Sequence, residues 1–303
     1  MTPTRVYGKE GPDPMKSSRS ELFFDTVNLL LLCLLGFMTL HPFMYELTIS
    51  LSTPAEAAKQ GLHILPLHPS FDAYSKVLQH PDLGRAYVNT IFRTTLGVAI
   101  VLLLTSTVAY PLSRKSFPHR KAVTFLLVFS MLFSGGVIPS YLLIQQLHLL
   151  NTIWALVLPG AVTAFSVIIM RNFFEGVPGE VLESAKIDGA GERTIYLRIM
   201  LPLSLPVIAV IALWTAVGHW NAWFDALIYT NDPAKQVLQL FLRRTVLESA
   251  SLTPGENLLD LTTYTPETLK AATVMIVCLP ILFVYPFVQR FFVKGINLGS
   301  VKG

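Results

Sequence analysis

The chain has 303 residues, of which 52% are hydrophobic and only 14% charged, with a mean hydropathy of +0.54. Soluble domains carry about 25% charged residues, so this composition argues against a globular domain in water and for helices in lipid. The net charge of +4 gives no reason for a nucleic-acid partner, and Cys33 and Cys278 fall in apolar stretches, where neither a disulfide framework nor a metal site is expected.

The predicted elements follow in chain order. Residues 1–25 are polar and read as an N-terminal segment without a signal-cleavage pattern. Thr26 to Tyr45 carries no charge and predicts a first membrane span. A long polar connection, Glu46 to Asn89, leads past Arg93 to a second span, Thr94 to Ser113. A compact basic turn follows, with Arg114, Lys115, His119, Arg120 and Lys121. The run from Ala122 to Met170 has no Asp, Glu, Lys or Arg, and is too long for one helix across about 30 Å of hydrocarbon. The polar spot Gln145 to His148, with Asn151 after it, divides it into a third span near Ala122 to Ile144 and a fourth near Thr152 to Met170. A charged stretch, Glu175 to Pro202, interrupts the apolar sequence. Leu203 to Phe224 predicts the fifth span, Asp225 to Lys270 a second long polar connection, and Ala271 to Gln289 the sixth span, before a basic tail.

The expected fold is therefore an all-α, polytopic bundle of six spans over 26–293, with a tail at 294–303. Six spans put both termini on one side. Of the 23 Lys and Arg, fifteen lie on that side and eight on the other, so the termini are expected in the cytoplasm.

Glu175 to Pro202 predicts two short helices at an elbow. Pro178 suits a first helical position, and Glu180 and Glu183 fall near the first turn, where the helix dipole favours negative charge. Val181, Leu182 and Ala185 form an apolar face, Gly189 offers a left-handed stop, and a second helix starts at Glu192. On pattern alone this is either a docking surface or a solvated connection. Glu183, Ser184, Ala185, Gly189, Ile199, Leu201 and Pro202 match the spacing E-A-A-x3-G-x9-I-x-L-P, with Ser184 in place of the second Ala. The stretch thereby resembles the EAA loop of the permease subunits of ABC importers, where it precedes the penultimate span. The resemblance implies that this loop, including Asp188 beside Gly189, inserts into a cleft on an ATP-binding subunit and couples nucleotide state to the pore.

Further stretches resemble the carbohydrate branch of that family, the maltose-type importers and their oligosaccharide subgroup. They are Trp220 to Tyr229, Ser134 to Pro139, Arg171 to Phe174, and in the ending Phe292 to Gly295 with Gly299 to Gly303. The resemblance implies a homologous second permease, two ATP-binding subunits, an extracytoplasmic solute-binding protein, and a multi-pass place in a bacterial cytoplasmic membrane. It also implies that the tail reaches between the ATP-binding subunits. The G-x-x-x-x-G-K-[ST] phosphate loop is absent from the sequence, so ATP and Mg belong to partner subunits and no cofactor is assigned to this chain.

Other features keep two or more readings. Trp220 and its aromatic neighbours read as interface anchors or as flat faces for a sugar. His219, Asn221 and Asp225 gather polar groups near the end of the fifth span, where such groups mark a pathway or hold the bundle together. Ser134, Gly135 and Gly136 before Pro139 read as a kink, close helix packing or a gate. The His residues at 63, 68 and 80 have no metal-ligand spacing, and no catalytic constellation stands out. The rivals to an ABC permease are a secondary transporter and a multi-pass membrane enzyme.

Overall fold

The structure, a computed structural model, describes residues 19–59, 61, 65–251 and 264–299. Most of the N-terminal segment, His63, the stretch 252–263 and the end of the tail, 300–303, lie outside the described residues.

Every described element is helical. Helix α1 (Arg19–Ser50) has 32 residues and at 1.5 Å per residue reaches about 48 Å, ample for the hydrocarbon core. It is apolar all round, with exposed side chains from Leu22 to Leu47, so it needs lipid or a partner along its length. Only its last turn is buried, at Thr48, Ile49 and Ser50, where the Ser50 and Tyr74 hydroxyls are 2.8 Å apart. Two short helices, α2 (Pro54–Ala57) and α3 (Asp72–Leu78), lead to α4 (Leu83–Ser113). Helix α4 extends the predicted second span by three turns and is the hub of the bundle, packing against several of the helices that come after it in the chain.

The predicted third span is sharply bent. Helices α5 (Arg120–Leu132) and α6 (Val137–Gln146) meet at 116°. Gly136 makes the corner with φ +83°, and a Cβ there would meet nothing within 4 Å. This glycine therefore serves a turn that L side chains resist, not close helix packing. At the predicted polar division His148 and Asn151 adopt φ of 55° and 58°, ending α6 before α7 (Ile153–Val157) begins.

The predicted fourth span departs further from expectation. The helix predicted over Thr152 to Met170 stops after Val157, turns through Pro159 and Gly160 (φ +79°), and restarts as α8 (Ala164–Glu175). Thr163 caps the restart, its Oγ1 accepting from the Ser166 amide at 3.3 Å and so satisfying one free N–H of the new helix. The Pro159-Gly160 pair, hidden in an apolar run, is the turn signal.

The charged stretch folds as α9 (Gly179–Ile187) and α10 (Glu192–Ile195), which continues through one π-helical segment, Tyr196–Met200, into α11 (Leu201–Leu203). Pro178 sits just before the helix, as its N-cap, rather than in its first turn. The chain then bends by 75° at Ser204 into α12 (Leu205–Asn221). A π segment and two prolines, Pro202 and Pro206, are sufficient causes for the bend. Beyond it come α13 (Phe224–Tyr229), α14 (Leu238–Ser251) and α15 (Pro266–Gly299), the last containing the predicted sixth span.

Among the described residues three helices are long and apolar enough to cross a membrane alone, within 20–50, 83–113 and 266–283. The bent pairs α5/α6 and α10–α11/α12 raise the number to five if each is one crossing. Buried side chains gather towards both ends of the bundle. One cluster, at the elbow end, joins α4, α8 and α12 to the charged stretch. Another, at the far end, joins α3, α4, α14 and α15 around Trp220. Trp220 is 9% exposed, so it is a packed core residue and not the interface anchor that the sequence allowed.

Candidate functional site

The elbow between α8 and α12 is built by recognisable local chemistry. Helix α9 ends in a paired closing motif: the Gly189 amide donates to the Lys186 carbonyl at 3.0 Å and the Ala190 amide to the Ala185 carbonyl at 2.9 Å. That pattern requires a left-handed residue at position 189, and Gly189 has φ +80°.

The motif residues divide between two faces. Ala185 is buried, and Ile199 and Leu201 pack against the same core, which also takes Ile195, Met200, Met170 and Phe174. Glu183, Ser184, Asp188, Gly189 and Pro202 are exposed, and Ile187 at the tip is 85% exposed. Of the predicted apolar face, Leu182 and Ala185 turn inward while Val181 stays exposed. Glu183 lies in the body of α9 and makes no ion pair among the described residues.

Polar contacts fasten the inward face. Glu175, at the root of the elbow, is gripped by Arg120 and, at 2.9 Å, by Arg171 Nε. Tyr110, near the end of α4, donates its hydroxyl to Glu192 Oε2 at 2.5 Å, while Lys186 Nζ reaches Glu192 Oε1 at 3.0 Å. The Tyr110 hydrogen bond first, and Lys186 second, hold the Glu192 carboxyl below its ordinary range. Arg114 lies over the Tyr110 ring at 4.6 Å, and the Ser106 and Tyr196 hydroxyls are 2.8 Å apart. The sequence placed Tyr110 and Ser106 in a plain apolar span; nothing in its pattern marked them as the fastening points.

The far half of α12 lines a cavity of about 500 Å3 between α4, α8 and the broken fourth span. Its wall includes the unwound Pro159-Gly160 segment, Thr163 and Ser166, and the Phe165 and Trp214 rings, whose centroids are 5.5 Å apart. His219 and Asp225 both line it. Asn221 does not: it is exposed, with its Oδ1 accepting from Gln239 Nε2 at 3.4 Å. The structure thus brings two of the three polar candidates together and separates the third.

Asp225 has a partner that sequence reading missed. Arg93 on α4, 1% exposed, pairs with Asp225 and also donates to the carbonyls of Ala222 at 3.2 Å and Leu156 at 3.4 Å. One guanidinium therefore ties α4, the end of α7 and the α12–α13 corner. The usable signal was a lone Arg and a lone Asp at the same predicted end of two spans, since charges at membrane depth pair. His219 lies against Gly97 so closely that a Cβ there would come within 2.3 Å of Nε2.

Elsewhere the His residues are structural neighbours of other groups. His68 Nδ1 lies 2.6 Å from Glu56 Oε1, and the His80 ring meets Phe241 edge-on at 4.9 Å.

Comparison with known proteins places this arrangement. Residues 83–298 match the family model described as binding-protein-dependent transport system inner membrane component. The chain is 45% identical to protein LplC of Bacillus subtilis over 95% of its own length and 98% of the relative's. It is 39% identical to the polygalacturonan/rhamnogalacturonan transport system permease protein YtcP of the same organism, over 92% of this chain and 98% of that one. A crystal structure of a bacterial ABC transporter involved in the import of the acidic polysaccharide alginate superposes with a TM-score of 0.85 at 32% identity, covering 91% of this chain and 99% of that one. A match over this much of the chain, with a bundle of apolar helices to go with it, makes the chain a member of the family of binding-protein-dependent transport system inner membrane components, the permease subunits of ABC transporters.

Proposed function

We propose that this chain forms half of the translocation pathway of an ATP-driven importer of sugars and oligosaccharides. A homologous second permease completes the pathway, and an extracytoplasmic binding protein delivers the sugar. Of the two ATP-binding subunits, which carry ATP and Mg, one docks on this elbow at Glu183, Ser184, Asp188, Gly189 and Pro202, while Ala185, Ile199 and Leu201 pass its movement to the core. Ligands on the two sides bias inward- and outward-facing states by their differential affinity.

The observation that carries the coupling role is the two-faced elbow. Its exposed side is free for a partner, while its inward side shares a core with α4, α8 and α12. Displacing such an element displaces the helices around the cavity; a solvated connection would move without consequence. Helix α12 is the covalent link from elbow to cavity. Oligosaccharide as the substrate class is supported by the names of the relatives and by the cavity lining. A sugar needs hydrogen-bonding groups for its hydroxyls and flat apolar faces for its C–H edges, and His219, Asp225, Thr163, Phe165 and Trp214 offer both. Asn221 is left a role only at the far mouth.

Six crossings follow if α1, α4, α5/α6, α7/α8, α12 and α15 each count once. Both termini then share the elbow side, which the Lys and Arg excess assigns to the cytoplasm. Non-helical backbone at membrane depth is tolerated only where protein or water covers it, and the break at Pro159-Gly160 borders the cavity.

Purification of the tagged chain from its native membranes tests the proposal. ATPase activity and a second permease should accompany it, and Glu183→Lys should shed the ATP-binding subunits while keeping the second permease. A chain that purifies alone and still transports after reconstitution would be a secondary transporter.

A further inference from the structure

A second built feature lies beside the elbow and is not used by the transport path. A groove of about 940 Å3 runs between the basic turn, the start of α5 and the end of α8. Lys115, His119, Arg120, Lys121 and Arg171 line it together with Phe117, Phe125 and Val128, and no carboxylate is among its lining residues. Glu175 beside it neutralises part of the charge, but its Oε1 is shared by Arg120 and Arg171. Lys115 and Lys121 are exposed and make no ion pair among the described residues. Above the cations the wall becomes apolar. Phe125, Leu126, Phe129, Leu132 and Phe133 on and after α5 are 45–76% exposed. The 13 residues of α5 rise about 20 Å, about two thirds of the hydrocarbon thickness.

Cations at the foot and an uncovered apolar strip one leaflet long call for a molecule with a negative head and long apolar chains. We propose that this groove seats an anionic phospholipid, its phosphate held by Lys115, Lys121 and the outer nitrogens of Arg120, and its acyl chains laid along α5. Charge complementarity decides for this occupant over a second protein chain: a protein partner would have to bring carboxylates beneath a strip of phenylalanines, whereas every anionic lipid carries both parts in the right order. Because Arg120 and Arg171 also hold Glu175 at the root of the elbow, the bound headgroup sits one residue contact from the coupling element. The inference rests on membrane insertion and not on the sugar assignment, so failure of either leaves the other standing.

The test uses the whole assembled transporter. It is purified into nanodiscs of phosphatidylcholine alone or with phosphatidylglycerol, and retained lipid is read by native mass spectrometry. The wild type should keep phosphatidylglycerol through delipidation. Each cation near an anionic headgroup contributes about fivefold in affinity, so Lys115→Gln with Lys121→Gln should weaken retention about 25-fold. Lys76→Gln, at the far end over the Tyr264 ring, should change nothing. Equal retention in the double variant would overturn the proposal. So would displacement of the lipid by inorganic phosphate, which would mark a free-anion site. Protection of Lys115 and Lys121 from an amine reagent in phosphatidylcholine alone would also overturn it, by placing a protein subunit in the groove.

Discussion

Replacing Asp225 with Leu leaves the Arg93 guanidinium buried and charged, with two carbonyls as its remaining acceptors, the nearer at 3.2 Å. Removing one partner of a buried ion pair costs about 3–5 kcal/mol, because the other charge stays desolvated and unpaired. The Asp225 side chain keeps 29% of its exposure against 2% for Arg93, so solvent screening brings the expectation to the lower end, about 3 kcal/mol. Replacing the pair together, as Arg93→Met with Asp225→Leu, removes both charges and should recover most of that loss. A double-mutant cycle on the denaturation of the assembled complex then isolates the coupling between them. Uptake measured on the same four proteins separates strut from ligand. If Asp225 only braces α4 against the α12–α13 corner, uptake returns with stability in the double variant. If Asp225 also touches the sugar, stability returns and uptake does not. A coupling energy near zero would refute the buried-pair reasoning altogether.

Four further outcomes are expected. Gly189→Val should abolish transport while the protein still inserts; its Cβ would meet nothing within this chain, so backbone strain, about 1–2 kcal/mol at φ +80°, acts on the elbow, and Gly189→Asn should retain substantial activity. Gly97→Ala should push the His219 ring from its seat and lower uptake without loss of assembly, whereas unchanged uptake would remove His219 from the pathway. Glu192 has a depressed carboxyl range in the fold, so the contact it makes should persist above the unfolded carboxylate value and fail only as pH falls through the lower, folded one; Tyr110→Phe should move the loss of sugar-stimulated ATPase activity to higher pH. In a variant without Cys33 and Cys278, a Cys at Ser116 should be shielded from an impermeant thiol reagent in intact cells and one at Ala234 labelled, the reverse pattern inverting the orientation.

How much of the fold and the site was legible in the sequence depends on the physics behind each feature. The elbow was legible because local chemistry sets it: Gly189 closes a helix through hydrogen bonds only a few residues long, and charges between apolar runs have few places to go. The end of α4 at Ser113 and both ends of α12 were legible because hydrophobic length scales with membrane thickness, whereas the start of α4 was missed by three turns because Arg93 and Arg85 interrupt the hydropathy there. The break in the fourth span was not, since Pro159 and Gly160 add no charge to an apolar run and hydropathy averages over them. The cavity was half visible. His219 and Asp225 were named, but Trp214 and Phe165 look like any lipid-facing aromatics until two helices are set side by side. Arg93 was hidden for a different reason. Its role comes from Ala222 and Asp225, which lie more than a hundred residues away and are brought near by packing alone. Trp220 shows the converse error, an aromatic at a span end that tertiary burial took into the core.

ATP-driven accumulation is the measurement that bears most directly on the chain as an importer permease coupled through its elbow. The assembled complex is reconstituted into proteoliposomes with the binding protein and labelled oligosaccharide, and accumulation is followed with ATP or with an imposed proton or sodium gradient. Accumulation should require ATP, be indifferent to either gradient, and disappear in Gly189→Val although the complex stays intact. Accumulation driven by an ion gradient without ATP would contradict the account.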